Sequence, residues 1–387
     1  MSRRRTPVWT PSDDQMSHWP ALSGNAINGV GEHAPRRPSP VYWRPPETIP
    51  HGPLQRWFYQ RTGDDEMLAE ARRERQRAID EPLIPVSPDK AGLAAEALTG
   101  AVKCAAAECG ADDVGVTPMR ADYVFEGDDP PTYPWMIVLA VEQDYEAMKQ
   151  APSMRALVEI TRQYGRGIRA AKGLANWLRG QGYDAFPYGG PMAGSFVLIP
   201  PAIEAGLGEL GKHGSMIHRQ FGSNFRLACV LTDAPLIADA PETFGADDFC
   251  LHCRVCSDAC PPAAILPEKT LVRGERRWYV DFDKCLPYFN EAMSCAICLA
   301  VCPFSRPGVG ENARDLLVCD LSLGQSAKLL FRLRPKLASQ PVNHPGRQPL
   351  RVQSRQGFIQ NFLCGVLHKI LHLYHFTVGT PSPLPTI

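Results

Sequence analysis

A chain of 387 residues with 44% apolar and 21% charged side chains has the size and composition of a globular protein of two or three domains. Its 41 basic and 41 acidic side chains cancel, which excludes a protein that coats nucleic acid along its whole length. Thirteen cysteines are unusual at this size, because disulfide frameworks belong mainly to small secreted domains. Clustered cysteines in so long a chain indicate metal binding instead.

The sequence predicts a cytoplasmic protein without a membrane partner. No stretch reaches the roughly 18 uninterrupted apolar residues that a membrane span needs. Arg3, Arg4 and Arg5 suggest a twin-arginine leader, but Asp13 and Asp14 interrupt the apolar stretch that such a leader requires. In the cytoplasm thiols stay reduced and free to bind metal.

Residues 1–90 are expected to form a proline-rich, extended arm. Ten prolines fall in the first 53 residues, which excludes long helices there. Trp9, Trp19 and Trp43 indicate that the arm packs on another part of the protein, since disordered segments are poor in aromatic residues. A short charged helix is predicted from Glu66 to Ile79.

Residues 91–245 are expected to form an α/β or α+β core, because helical and strand patterns interleave there. An alanine-rich helix is predicted over Leu93–Cys109, and the apolar run Met136–Val141 indicates a buried strand. Apolar residues recur on one helical face from Met154 to Leu178, which predicts a long amphipathic helix. Further strands are predicted at Val114–Val116, Tyr183–Phe186 and Phe225–Leu231, with a glycine-rich stretch from Gly189 to Gly214.

Residues 246–310 carry the strongest motif and are expected to form a ferredoxin-type domain. The run Cys250-x2-Cys253-x2-Cys256-x3-Cys260-Pro261 has the spacing of a bacterial [4Fe–4S] motif. In that motif three close-spaced thiolates bind one cubane, and the fourth cysteine binds the neighbouring cluster.

A second cysteine set follows with the spacing Cys295-x2-Cys298-x3-Cys302-Pro303. It lacks one close-spaced cysteine, which Cys285 can supply. Crossing the fourth ligands predicts two complete sets: Cys250, Cys253, Cys256 and Cys302 for one cluster, and Cys260, Cys285, Cys295 and Cys298 for the other.

Structural zinc is the alternative for these cysteines, but zinc sites tend to use two separated Cys-x2-Cys pairs. The remaining cysteines are expected to be buried apolar residues: Cys104, Cys109, Cys229, Cys319 and Cys364.

Two adjacent clusters form a route for electrons, which must end at an electron acceptor. The globular residues before them leave room for a catalytic domain with a second cofactor.

Gly206-Leu-Gly208-Glu-Leu-Gly211 matches the GxGxxG pattern of dinucleotide-binding folds. Such a fold needs a strand directly before the first glycine. Pro200, Pro201 and a helical segment stand there instead, so the match does not predict a dinucleotide site.

The segment Ala202-Ile-Glu-Ala-Gly-Leu-Gly-Glu-Leu-Gly-Lys-His-Gly214 resembles the glycine-rich segment of cobalamin-dependent reductive dehalogenases. Phe225-Arg-Leu, the phrase Thr232-Asp-Ala-Pro-Leu236 and Val280-Asp-Phe-Asp-Lys-Cys285 are similar to that family as well. The resemblance covers about residues 90–310. Epoxyqueuosine reductases share the plan of cobalamin and two clusters, and they are the nearest rival.

The resemblance implies an α+β fold, in which a nitroreductase-like cobalamin-binding core precedes a ferredoxin-like domain with two [4Fe–4S] clusters. It implies a base-off cobalamin, with Tyr164 matching the catalytic tyrosine and Arg226 matching a basic residue 62 positions later. Some members have asparagine at the position of Gly190. The glycine-rich segment supplies the expected cofactor-binding residues: Gly206, Gly208, Gly211, Lys212 and Gly214.

The implied function is removal of halide from an organohalide, with an external ferredoxin- or flavodoxin-type protein or a reductase as electron donor. The alternatives are another cobalamin and iron–sulfur reductase, such as an epoxyqueuosine reductase, and a non-catalytic iron–sulfur electron carrier. Residues 311–387 are expected to be a divergent basic tail, since Leu321 to Ile387 contain no Asp or Glu. Nucleic acid is not an expected partner, although the positive tail leaves phosphate binding open.

Overall fold

The computed structural model describes residues 8–63, 65–190 and 194–310. Its α-helices are α1 Asp13–Ser17, α2 Gly24–Ile27, α3 Gly52–Arg61, α4 Glu66–Asp80, α5 Ala95–Glu108, α6 Tyr145–Met148, α7 Met154–Gly180, α8 Ile199–Glu204, α9 Ala246–His252, α10 Val255–Ala259, α11 Phe282–Glu291 and α12 Ile297–Ala300. Its strands are β1 Asp113–Pro118, β2 Trp135–Glu142, β3 Ala185–Gly189, β4 Glu209–Leu210, β5 Met216–Ile217, β6 Phe225–Thr232, β7 Thr270–Val272 and β8 Glu275–Arg277. The predicted basic tail, with Cys319 and Cys364, lies outside the described residues.

The core is an antiparallel sheet of four strands in the order β1-β2-β6-β3. Strand β2 is central and pairs with β6 from Trp135↔Thr232 to Glu142↔Phe225. Successive side chains of a strand point to opposite faces, and here both faces are covered. This explains why Met136–Val141 is continuously apolar and buried rather than alternating. The architecture confirms the α+β prediction.

Helix α7 crosses one face of this sheet and places its middle against β6. It begins where Ser153 Oγ accepts a hydrogen bond from the Ala156 N–H at 3.2 Å, an N-cap that satisfies a free helix-end donor. Gly167 lets the two backbones approach, since a Cβ there would lie 3.3 Å from the Ala228 Cβ. The face that packs on the sheet is apolar and consists of Ala170, Ala171, Leu174, Ala175 and Leu178.

Strand β3 lies further along the chain than predicted, at Ala185–Gly189 rather than Tyr183–Phe186. Among the described residues it is an edge strand that pairs with β6 alone, and it contains Pro187. An edge position tolerates a residue without an N–H, since one side of the strand has no ladder partner.

The N-terminal arm packs on the ferredoxin-type residues, as its tryptophans predicted. The Trp9 ring lies edge-on to Tyr288 with centroids 5.1 Å apart. Gln15 Nε2 donates to the Pro287 carbonyl at 2.9 Å, and Asn25 Nδ2 donates to Asp281 Oδ1 at 2.9 Å. The domain boundaries proposed from the sequence remain predictions.

The arm contains one helix that the proline count had not suggested, α3. Pro53 stands in its first turn, where the missing N–H costs nothing because no helical acceptor precedes it. The helix buries Leu54, Trp57 and Phe58. The prolines explain why the helices of the arm are short, and the aromatic residues between the prolines explain how these helices pack.

Within the described ranges, no helix is both long enough and apolar enough to cross a membrane.

Candidate active site

A cavity of about 1130 Å³ lies where the core, the arm and the ferredoxin-type residues meet. Ordinary small-molecule sites occupy roughly 300–1,000 Å³, so this one suits a large ligand. Tyr42 and Trp43 line it from the arm, and Tyr164 and Arg226 line it from the core. The ferredoxin-type residues contribute four thiols: Cys260, Cys285, Cys295 and Cys298.

Tyr164 and Arg226, expected from the resemblance to act together, are neighbours in this cavity. Tyr164 lies in the middle of α7 and Arg226 at the start of β6, and the packing of α7 on the sheet brings them together. The Arg226 Cζ is 5.5 Å from the centroid of the Tyr164 ring. Arg226 Nη1 donates to the Phe225 carbonyl at 2.8 Å. Its buried Nε has no hydrogen-bond partner in the described part of the chain, so a polar group is available to a ligand.

The second group of thiols faces the large cavity and consists of Cys260, Cys285, Cys295 and Cys298. The pKa of Cys285 is raised to about 12, chiefly by burial and also by the neighbouring thiols Cys295 and Cys260. Burial also raises the pKa of Cys298 well above its usual value, with Cys285 and Cys295 adding to the effect. Cys260 belongs to the first sequence motif, but it lies next to Cys285, Cys295 and Cys298.

The first group of thiols surrounds a smaller cavity, which Phe249 and Phe304 also line. The group consists of Cys250, Cys253, Cys256 and Cys302. Burial raises the pKa of Cys302 to about 12, and Cys250, Cys256 and Cys253 act in the same direction. The two groups have the membership that the spacing predicts. That they ligate clusters stays a prediction at this point.

The loop before α12 holds the second group in an uncommon backbone conformation. Met293, Ser294, Cys295 and Ala296 have φ values of 48°, 72°, 47° and 62°. Side chains other than glycine rarely adopt this left-handed region, and clusters of such residues occur at functional sites. The loop is thus bent around the place where Cys295 meets its three partner thiols.

Glu209 connects the glycine-rich segment to the helix that carries Cys250. Its buried carboxylate accepts the Gly245 N–H at 3.0 Å and the Asp247 N–H at 2.8 Å, and it also accepts the Phe244 N–H. A carboxylate at a helix N-terminus satisfies free donors and complements the helix dipole. Sequence reasoning missed Glu209. The one feature that could have indicated its role is the presence of an acidic residue inside the motif Gly206–Gly211.

The glycines of that motif make contact with the protein itself. Gly206 has φ +77°, and a Cβ there would lie 2.6 Å from the Ala240 carbonyl oxygen. Gly208 stands against the backbone of Ile217, and Gly211 against the ring of His213. Of the five expected cofactor contacts, Gly214 lines the large cavity. Helix α8 precedes the motif, which agrees with its not being a dinucleotide site.

Lys212 lies with the first group of thiols. Its side chain is 2% exposed, and its Nζ donates to the Cys253 carbonyl at 2.9 Å. Its backbone N–H points to the Cys250 Sγ at 3.4 Å, and its Nζ is 4.8 Å from the ring centroid of Trp278. Lys212 therefore contributes a buried positive charge next to these cysteines.

His213 lines both cavities and is held as a neutral ring. The Ser215 N–H donates to His213 Nδ1 at 3.2 Å, so Nε2 carries the proton and donates to Ser223 Oγ at 2.9 Å. Burial lowers the pKa of His213 to about 4. The ring therefore separates the two cavities without adding charge.

No three His, Cys, Asp or Glu side chains of the described residues are arranged to hold a single metal ion. A cubane has a different requirement, since its four thiolates bind four separate iron atoms.

Comparison with known proteins gives one family match and several relatives. The family described as 4Fe-4S dicluster domain matches residues 249–305. A tetrachloroethene reductive dehalogenase of Desulfitobacterium hafniense is 34% identical over 209 residues, which cover 51% of this chain and 37% of that protein. The enzyme of the same description from Sulfurospirillum multivorans is 30% identical over 290 residues, 60% of this chain and 57% of that protein.

A shorter match joins the chain to an epoxyqueuosine reductase of Leadbetterella byssophila, with 36% identity over 131 residues, 29% of this chain and 39% of that protein. Among solved structures, the catabolic reductive dehalogenase NpRdhA in complex with 3-bromo-4-hydroxybenzoic acid superposes with a TM-score of 0.65. It is 23% identical, and the match covers 73% of this chain and 43% of that chain, which shows a shared fold.

These findings confirm the resemblance to the reductive dehalogenases in sequence and fold. The chain spans between about a third and somewhat more than half the length of these curated relatives.

Proposed function

We propose that this chain, a relative of the reductive dehalogenases, binds two [4Fe–4S] clusters and a base-off cobalamin and removes halide from an organohalide. One observation carries the proposal: Tyr164, Arg226 and the second group of thiols line a single cavity. An electron source, a proton donor and a space for a large cofactor thus meet in one place.

The thiols suit two cubanes. They form two groups of four, and Cys256 of the first group acts electrostatically on Cys298 of the second, so the groups are adjacent. Backbone N–H groups point to their sulfurs, as from Ala264 to Cys260 Sγ at 3.3 Å. Such hydrogen bonds are among the features that set the potential of a cluster. Burial raises the pKa of six of these thiols, so cluster binding must displace their protons: Cys250, Cys256, Cys285, Cys295, Cys298 and Cys302.

The large cavity suits a corrinoid. It exceeds the usual size of a small-molecule site, and its lining combines aromatic rings with the Arg226 Nε, which has no hydrogen-bond partner among the described residues. Such a mixture fits a wide ring bordered by amides. Gly214, Ser215 and Met216 would approach the ring from the glycine-rich segment, and Tyr42 and Trp43 from the arm.

The overall reaction consumes two electrons and one proton, so that R–X becomes R–H and X⁻. The chemistry that cobalamin supplies when bound is the two-electron cleavage of the carbon–halogen bond. The chain's own part is to hold the two groups of thiols, which would bind the electron-carrying clusters, and to deliver a proton. Tyr164 Oη is the proton donor of the Tyr164–Arg226 pair, since a guanidinium does not give up its proton at any working pH.

Arg226 assists this proton transfer. When Tyr164 gives up its proton, a negative charge remains on the phenolate oxygen, and a guanidinium 5.5 Å from the ring compensates it. Arginine keeps its charge at every working pH, so the compensation is permanent. The arm residues Tyr42 and Trp43 help to exclude water from this pair.

We place the reaction in the cytoplasm, where the eight free thiols of the two groups would stay reduced, with a ferredoxin- or flavodoxin-type protein as donor. The experiment is anaerobic reconstitution of the full chain with iron, sulfide and hydroxocobalamin, followed by metal, sulfide and corrinoid analysis. The proposal requires about eight iron, about eight sulfide and one cobalamin per chain. Cys109→Ser, a cysteine outside both groups, is the control and should change none of these. Stoichiometric zinc without sulfide would contradict the proposal.

A further inference from the structure

The hairpin β7–β8 brings a concentration of positive charge to the large cavity. Four of its cationic side chains line the cavity: Lys269, Arg273, Arg276 and Arg277. The hairpin is firmly placed, because the Gly31 N–H donates to the Leu271 carbonyl at 2.8 Å and joins it to the arm. At the turn, Gly274 has φ +81° and packs against the backbone of residues 33–35.

These cations are unequally compensated. Lys269 Nζ is 2.6 Å from Asp247 Oδ2, so this charge has a close partner. Arg277 Nη1 is 4.0 Å from the carboxylate of Glu275, which is itself 72% exposed. Arg276 donates to the Lys269 carbonyl at 3.2 Å, and no ion pair of Arg276 occurs within the described ranges.

The third guanidinium, that of Arg273, is half-buried next to other cationic side chains. Arg273 Nη1 donates to the Asn28 carbonyl at 2.6 Å. The pKa of Arg273 is lowered to about 10, chiefly by burial and also by the nearby charges of Arg277 and Arg36, while Glu32 acts against this shift. Like charges held together in this way are stabilised by an anion.

We propose that Arg276 and Arg277 bind the phosphodiester of the cobalamin nucleotide loop. The inference rests on the proposed function and adds a contact to it. In base-off cobalamin the nucleotide loop extends away from the ring, and its phosphodiester is the one anionic group among neutral amides. That anion needs a partner once it leaves water. A guanidinium presents a planar pair of N–H donors that matches two phosphate oxygens.

An anionic substrate is the other anion that could enter the cavity. The hairpin belongs to the ferredoxin-type residues, whereas Tyr164 and Arg226, where the proton is delivered, belong to the core. A cofactor large enough to fill the cavity would contact both sets of residues, so we take the cofactor as the occupant. The experiment below distinguishes the two.

The test compares cobalamin with cobinamide, which has the same corrin ring without the nucleotide loop. Dissociation constants of both are measured anaerobically on the full chain and on its Arg276→Gln and Arg277→Gln variants. Cobalamin affinity should fall about tenfold for each substitution, the usual cost of losing one hydrogen bond to a charged group. Cobinamide affinity should stay unchanged. Arg56→Gln, an exposed arginine outside the cavity, is the matched control.

Equal losses for cobalamin and cobinamide would overturn the inference, because the hairpin would then only shape the cavity. Unchanged cobalamin affinity in both variants would overturn it as well. So would a lower affinity for a halobenzoate with cobalamin binding intact, which would assign the arginines to substrate. If the native chain bound neither corrinoid, the proposed function would fail together with the inference.

Discussion

Lys212→Met should make the first cluster harder to reduce. The native side chain places an ammonium 2.9 Å from the carbonyl of Cys253, inside the first group of thiols and almost fully buried. Burial raises the pKa of Cys250 to about 12, and the Lys212 N–H and ammonium act against that rise, so the charge reaches the thiol. A reduced cluster carries one more negative charge, which the ammonium stabilises.

The size of the effect follows from Coulomb's law. A unit charge roughly 5–8 Å from the cluster, at an effective dielectric constant of about 20, contributes about 2–3 kcal/mol. For a one-electron couple about 1.4 kcal/mol corresponds to 59 mV, so removing the charge should lower the potential by roughly 100 mV. Methionine keeps the length and apolar stem of lysine, so packing changes little.

The assay is an anaerobic redox titration of the reconstituted full chain, followed by electron paramagnetic resonance. The second cluster serves as an internal reference and should keep its potential. Lys269→Met is the matched control: this lysine contacts the same Trp278 ring at 5.5 Å, but its charge is paired with Asp247. An unchanged potential of the first cluster, or equal shifts of both clusters, would refute the electrostatic reasoning.

Three further outcomes are expected. Cys285→Ser should remove the second cluster and leave the first, lowering iron to about four per chain, because no other cysteine lies between Cys260 and Cys295; retention of both clusters would contradict the ligand set. Glu209→Gln should lower the free energy of unfolding by about 1–3 kcal/mol, because the glutamine NH₂ would place a donor against buried N–H donors. Thermal or denaturant unfolding measures this change, and unchanged stability would show that the cap is dispensable. Truncation after Asp320 should leave cluster and corrinoid content unchanged, and loss of both would show that the acid-free tail is structural.

The sequence predicts the cysteine groups well because cluster ligation is a matter of spacing. In the ferredoxin motif, three cysteines, separated by two residues each, bind one cubane, and the fourth binds its neighbour. The placement of Cys302 with the first group and Cys260 with the second agrees with this reasoning. The long helix α7 and the central strands were also predictable, since their apolar periodicity decides their packing.

The site residues between the motifs were harder to predict, because side-chain direction in a loop depends on tertiary packing. Lys212 and Gly214 are two positions apart, yet one lies with the first group of thiols and the other lines the large cavity. Glu209 acts as a helix cap for a segment 35 to 38 residues later, a contact without any local signal. The role of Tyr42 and Trp43 in the cavity wall likewise depends on how the arm packs.

Halide release by the anaerobically reconstituted chain tests the central claim most directly. With a low-potential electron donor and an organohalide, the native chain should release halide and form the hydrogen-substituted product in equal amounts. Tyr164→Phe removes only the hydroxyl, so it should retain both clusters and cobalamin but lose about 10²–10⁴-fold in rate, the usual contribution of a positioned general acid. If Tyr164→Phe turned over at the native rate, or if the fully loaded native chain released no halide, the account would be contradicted.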